Sequence, residues 1–121
     1  MIKPEAQKTS FGTITLDGQD YTYDVLIRLD GEVTKRKKKL SKQVYGTSHK
    51  ISEEEARYIY EPGAKQVVIG TGQYGLVEPS GEARQFFESH NLEVRLAATP
   101  QALELWNASP EGTIGLFHVT C

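Results

Sequence analysis

The sequence predicts an α/β fold in which a βαβαβ carboxyl-terminal part follows an amino-terminal antiparallel β-meander, within one domain spanning residues 1–121. Three observations predict it. From Gln66 onward, apolar runs of strand length alternate with capped helical segments. Before that point, two Asp-Gly turns separate runs of β-formers. At the junction, QVVIGTGQYG carries a strand straight into a glycine loop, as a buried parallel strand leaves its sheet.

Residues 11–16 form the first expected strand, with Phe11, Ile14 and Leu16 as its apolar positions, and Asp17-Gly18 turns the chain into a second β-rich run over 21–29. Asp30-Gly31 turns it again into 32–36. Glycine supports the positive φ that tight hairpin turns demand, so this order reads as a meander. Residues 35–50, KRKKKLSKQVYGTSHK, keep neither period for long and are expected to form a loop. A helix follows: Ser52 and Glu55 have capping-box spacing, Glu53 and Glu54 suit the positive end of the helix dipole, and Pro62-Gly63 ends it. Ala56, Ile59 and Tyr60 are its inward face.

The strand over 66–69 then enters the loop Gly70, Thr71, Gly72, Gln73, Tyr74, Gly75. Pro79 or Ser80 opens a helix with Ala83, Phe86, Phe87 and His90 on one side. A strand over 92–97 leads to Thr99, a candidate cap with Pro100 in the first turn, and to the apolar bulk of Leu103, Leu105 and Trp106. The Ser109-Pro110-Glu111-Gly112 turn precedes a last strand over 114–119. The later strands are expected to run parallel through right-handed crossovers.

Formal net charge is −2, which gives no general attraction to nucleic acid or an anionic membrane. No run approaches the ~20 apolar residues of a membrane span. No signal-peptide pattern is present, and the chain is expected to be soluble and cytoplasmic. Cys121 is the single cysteine, so neither an internal disulfide nor a cysteine-built zinc site is expected. The three histidines lack i, i+4 pairing, and no metal site is assigned.

No nucleophile, base and orienter can be matched, so no catalytic residue is assigned. Gly70, Gly72 and Gly75 fit G-x-G-x-x-G after a strand, yet Leu76, Val77 and Glu78 intervene before the helix and no acidic residue ends the next strand, so no dinucleotide cofactor is expected. A strand exit that needs positive φ explains the glycines. Lys35, Arg36, Lys37, Lys38, Lys39 and Lys42 place six cations in eight residues, read as a solvated face in preference to a nucleic-acid surface. Thr47 and His49 border a helix start, with a turn-shaping role weighed above a role as base or anion ligand. His90 is expected to meet helix-end carbonyls. If the later strands are parallel, their carboxyl ends bring the 70–75 loop, Thr99 and the terminal segment His118, Thr120 and Cys121 to one edge, where open α/β sheets bind ligands. Alternation puts His118 and Thr120 on a common face and Cys121 on the other.

Several of these residues also carry a resemblance. Ser10-Phe11-Gly12, Gly46-Thr47 with His49, Val68-Ile69-Gly70 with Gly72, Asn107, Phe117-His118, Thr120 and Cys121 resemble a small domain family of unknown function. It is typified by a methanogen protein and by the adipogenesis-associated domain protein, with mitochondrial complex I assembly factor 3 more distant. The resemblance implies a three-layer α/β domain with a central mixed sheet. It brings no catalytic residues, and its better-described relatives look like assembly or regulatory factors. The leading expectation is a non-enzymatic factor that binds another protein, through a site including Thr47, His49, Gly70, Thr71, Gly72, Gln73, Tyr74, Gly75, His118, Thr120 and Cys121. The alternative is an anion-binding protein or enzyme that uses the loop amides of Gly70 to Gly75. Homo-oligomerisation stays open.

Overall fold

Two tight turns fold the start of the chain into a small antiparallel sheet, β1 (Ala6–Ser10), β2 (Thr13–Leu16) and β3 (Gln19–Tyr21), in the computed structural model, which describes residues 3–121. Asp17 and Gly18 have φ of 48° and 79°, the two positive values in succession that a two-residue hairpin turn needs. The expected strand over 11–16 begins later, because Phe11 and Gly12 form the turn from β1. The polar sequence of β1, AQKTS, gave it no apolar signature.

The expected meander divides at this point. β4 (Val25–Ile27) and β5 (Val33–Lys35) pair with each other and join a different, central sheet. Residues 35–50, expected as a loop, contain α1 (Lys39–Tyr45), which ends where Gly46 adopts φ 72° and its N–H bonds Lys42 O. Ser41 is the helix's fully covered residue, so no apolar stripe announced it. β6 (Lys50–Ile51) precedes α2 (Glu53–Ile59). Ser52 caps α2 by accepting from Glu55 N–H at 3.1 Å, but the Glu55 carboxylate turns away to Arg36, so the capping box is only half made.

β7 (Gln66–Gly70), β8 (Glu78–Pro79), α3 (Gly81–Ser89), β9 (Glu93–Ala97), α4 (Thr99–Ala108) and β10 (Thr113–Phe117) complete the chain. Ser80 caps α3 through Ala83 N–H at 3.0 Å. Thr99 does not cap α4; it is the first helical residue, after Ala98. Its hydroxyl instead donates to His118 O and accepts from Gly72 N–H. At the far end of α3, His90 Nδ1 lies 2.9 Å from Phe86 O.

The central sheet has the order β5-β4-β10-β7-β9, with β10, β7 and β9 parallel to one another and β4 antiparallel to both of its neighbours, β10 and β5. Its inner strands are apolar on both faces because both are covered. Leu26, Val67, Ile69, Ile114 and Leu116 meet Ala56 and Ile59 of α2 and Ala83, Phe86 and Phe87 of α3. Val25, Ile27, Val68 and Phe117 meet Ala102, Leu103 and Trp106 of α4 and Ala6, Ile14 and Leu16 of the small sheet. The result is three layers. Asn107 fastens the small sheet to α4 by accepting from Ala6 N–H and donating to Ala6 O, at 2.9 and 2.8 Å.

Gly115 makes room for the largest core side chain, since a Cβ there would stand 2.8 Å from Phe117 Cε2 and 2.9 Å from Trp106 Cζ3. Both rings are fully buried and meet edge to face, so neither can yield. Gly115→Ala is expected to lower stability by about 1–3 kcal/mol through overpacking, checked by urea unfolding.

Candidate functional site

Strands β7, β9 and β10 end in register, with Gly70 opposite both Ala97 and Phe117. Their parallel direction therefore delivers the glycine loop, the start of α4 and the terminal segment to one edge. Local bonds join them: Thr71 N–H donates to Ala97 O at 2.8 Å, His118 N–H to Gly70 O at 2.9 Å and Thr99 N–H to Gly72 O at 2.9 Å.

The glycine loop wraps the end of the chain. Gly72 has φ 108°, and a Cβ there would lie 2.3 Å from the backbone carbon of Cys121. No other residue fits this conformation and this contact together. Gln73 N–H donates to Thr120 O at 2.7 Å, and Tyr74 and Leu76 N–H donate to Cys121 O at 3.0 and 3.3 Å. Thr71, Gly72, Gly75 and Val77 N–H bond to Ala97 O, Thr99 Oγ1, Gly72 O and Thr71 O. The amides that would suit an external anion thus bind the chain's own oxygens.

Beneath the loop is a buried polar chain. His118 Nδ1 lies 2.7 Å from Asp24 Oδ2, and Thr120 Oγ1 lies 3.1 Å from His118 Nε2. Asp24 Oδ1 accepts from Val119 N–H at 2.9 Å, and Oδ2 also accepts from Arg36 Nη1 at 3.0 Å. Arg36 turns its other edge to Glu55, with Nε to Oε2 at 2.7 Å and Nη2 to Oε1 at 3.1 Å, and Nη2 donates to Ser48 O. The Ser41 hydroxyl donates to Glu55 and accepts from Ser52 N–H. Thr47 accepts from His49 N–H and shapes the turn that sets the His49 ring edge-on to His118, centroids 5.6 Å apart.

Arg36 corrects the sequence reading, in which it belonged to a solvated basic run. It is 4% exposed. A guanidinium can be buried there because its planar fork meets two carboxylates and a carbonyl at once. Among the described residues, no buried side-chain nitrogen or oxygen lacks a partner. Asp24 escaped notice in the sequence because its partners lie 12 and 94 residues away.

Burial by itself would push the Asp24 carboxyl up, but the His118 and Val119 hydrogen bonds and the charges of His118 and Arg36 hold it down at about 2. Asp24 is therefore an ionised acceptor near neutrality, which assigns the proton of this hydrogen bond to His118 Nδ1. Nε2, the other ring nitrogen, is the one within hydrogen-bond reach of the Thr120 hydroxyl. Hydroxyl, imidazole and carboxylate thus stand in linear order, with the carboxylate orienting the ring. Cys121 takes no part in that order. Among the described residues, no cluster of three or more histidine, cysteine or acidic side chains is arranged to hold a metal ion.

The described residues include no helix long and apolar enough to cross a membrane. Residues 6–112 match the model of a family described as protein of unknown function (DUF498/DUF598). The chain belongs to that family. It is similar to a conserved hypothetical protein of Pyrococcus horikoshii, at 30% identity over 96% of this chain and 98% of that one, with a TM-score of 0.89. A structure named MT938 is 28% identical over 98% of this chain and 100% of its own, with a TM-score of 0.83. A Xanthomonas campestris protein, 9% identical over 97% and 85% with a TM-score of 0.72, shares the fold alone. The family match stops at residue 112, so the terminal segment that carries His118 and Thr120 lies outside it.

A carboxyl held below its ordinary 3.8 contributes stability that is complete above about pH 4 and is lost as pH falls toward 2. Between pH 5 and pH 2, the unfolding free energy is expected to drop by about 2 kcal/mol more in the wild type than in Asp24→Asn, measured by urea titration at each pH.

Proposed function

We propose that this member of the family acts by binding another protein, as a non-enzymatic assembly or regulatory factor. One observation carries the reading. The edge formed by the glycine loop keeps its polar backbone for itself and turns its large apolar side chains outward: Phe11, Tyr74 and Leu76 are 60%, 73% and 54% exposed. The rings of Phe11 and Tyr74 lie 6.2 Å apart, and the Tyr74 and Leu76 backbones both close on the Cys121 carbonyl, so the three residues stand on segments that meet at one edge. Grouped exposed apolar residues on a braced loop suit a protein partner, with aromatic anchors at the centre of the contact. The sequence resemblance, which implies relatives that look like assembly or regulatory factors, supports the same reading. The competing use of the 70–75 loop, as an anion cradle, has no free amide to draw on.

The test compares partners recovered from the native host by wild type and by Tyr74→Ala/Leu76→Ala. Both side chains are exposed, so the variant should keep its melting temperature. One reproducible protein partner is expected with the wild type and is expected to be lost with the variant. No partner, or equal recovery by both, would overturn the reading. So would self-association as the only interaction that the variant abolishes, seen by size-exclusion chromatography.

A further inference from the structure

On another part of the surface, the basic run lines a concave cleft of about 480 Å³ together with Tyr23, Thr120 and the buried Asp24–Arg36 pair. That volume is in the range of small-molecule sites. The cations on its wall are Lys35, Lys37, Lys38 and Lys39. They stand on a braced backbone: Arg36 N–H donates to Asp24 O at 2.9 Å, and the Arg36 side chain is fastened to Asp24, Glu55 and Ser48. Fixing Arg36 fixes the backbone from which the lysines on either side of it extend.

Most of the lysine charge of the cleft is uncompensated. Its one carboxylate, Asp24, already serves Arg36, His118 and Val119, with the Lys38 ammonium 3.7 Å away. Among the described residues, Lys35, Lys37 and Lys39 form no ion pair. The Lys35 and Lys37 ammonium groups rest over the Tyr23 and Tyr58 rings, at 5.4 and 4.6 Å, contacts that orient a cation without neutralising it. Several ammonium groups held around one concavity repel one another, and a small anion with several charges relieves all of those repulsions together.

We propose that this cleft binds a small molecule carrying two or more oxyanion charges, on phosphate or carboxylate groups, paired to Lys35, Lys37, Lys38 and Lys39. The site shares no lining residue with the Phe11–Tyr74–Leu76 patch and does not depend on it. A single-stranded nucleic acid fits less well, because it needs a succession of stacking rings along a basic groove, whereas Tyr23 is the one aromatic residue lining this cleft.

Isothermal titration of the full chain with pyrophosphate and with citrate tests the site and separates the two oxyanion chemistries. Saturable binding of at least one probe, at one site per chain, is expected. In Lys37→Ala/Lys39→Ala the affinity should fall about tenfold, as expected for two partly exposed charge pairs. A control, Lys8→Ala/Lys65→Ala, removes the same charge from outside the cleft and should keep wild-type affinity. The proposal is overturned if neither probe binds, or if the control loses as much as the cleft variant. It is also overturned if a twelve-residue thymidine oligonucleotide binds a hundredfold tighter than either probe, which would mark an extended nucleic-acid surface. All substituted lysines are exposed, and melting curves of each variant verify folding.

Discussion

The guanidinium of Arg36 is the constraint on which the rest depends. It joins three regions that no run of sequence connects: Asp24 before β4, Glu55 in α2 and the carbonyl of Ser48 in the turn between α1 and β6. Through Asp24 it reaches further, to Val119 N–H and the His118 ring. Taking these charges out of water costs several kcal/mol each, so the net gain over an apolar core of the same shape is small. The arrangement selects one placement of its parts. A guanidinium with two carboxylates and a carbonyl on its edges has little freedom to shift, and each partner left alone would be a buried unpaired charge.

That placement has consequences on both sides. Inward, it orients His118, so the imidazole offers Nε2 to Thr120. Outward, it braces the backbone of the flanking lysines, which line a cleft. Next to it, the glycine loop closes on the terminal residues mainly through backbone bonds, joined by the Gln73 side-chain amide donating to Val119 O, with Gly72 accepting a contact that excludes any side chain. An edge assembled this way spends its polar backbone internally and shows the solvent Phe11, Tyr74 and Leu76. The molecule therefore presents two different surfaces, one aromatic and one cationic, supported by neighbouring parts of one buried network.

Much of this fold could be read from the residues, and the failures share a cause. The alternation of strands and helices after Gln66, the caps at Ser52 and Ser80 and the Asp17-Gly18 turn are local patterns, set by residues a few positions apart, and they appear in the structure. The edge shared by the glycine loop, Thr99 and the terminal segment followed from parallel strands, and the common face of His118 and Thr120 from simple alternation. What stayed hidden is non-local. Nothing in KRKKKL distinguishes Arg36 from its lysine neighbours, although one is buried and the others are not. Asp24 lies in an ordinary β-rich run, and its importance comes from partners far along the chain. Helix α1 carries little local signal because Ser41, its covered residue, is held by Ser52 and Glu55 and not by an apolar stripe, and Gly46 is its one clear mark.

The most direct test is amide hydrogen exchange in Arg36→Met, which keeps much of the side chain's length and removes its charge and donors. If Arg36 ties these regions together, exchange should accelerate at least tenfold at Val119, whose N–H bonds Asp24, and also at Ser52, whose N–H bonds the Ser41 hydroxyl beside Glu55. Acceleration confined to β5 and its immediate neighbours, with Val119 and Ser52 protected as in the wild type, would contradict the central role given to this residue.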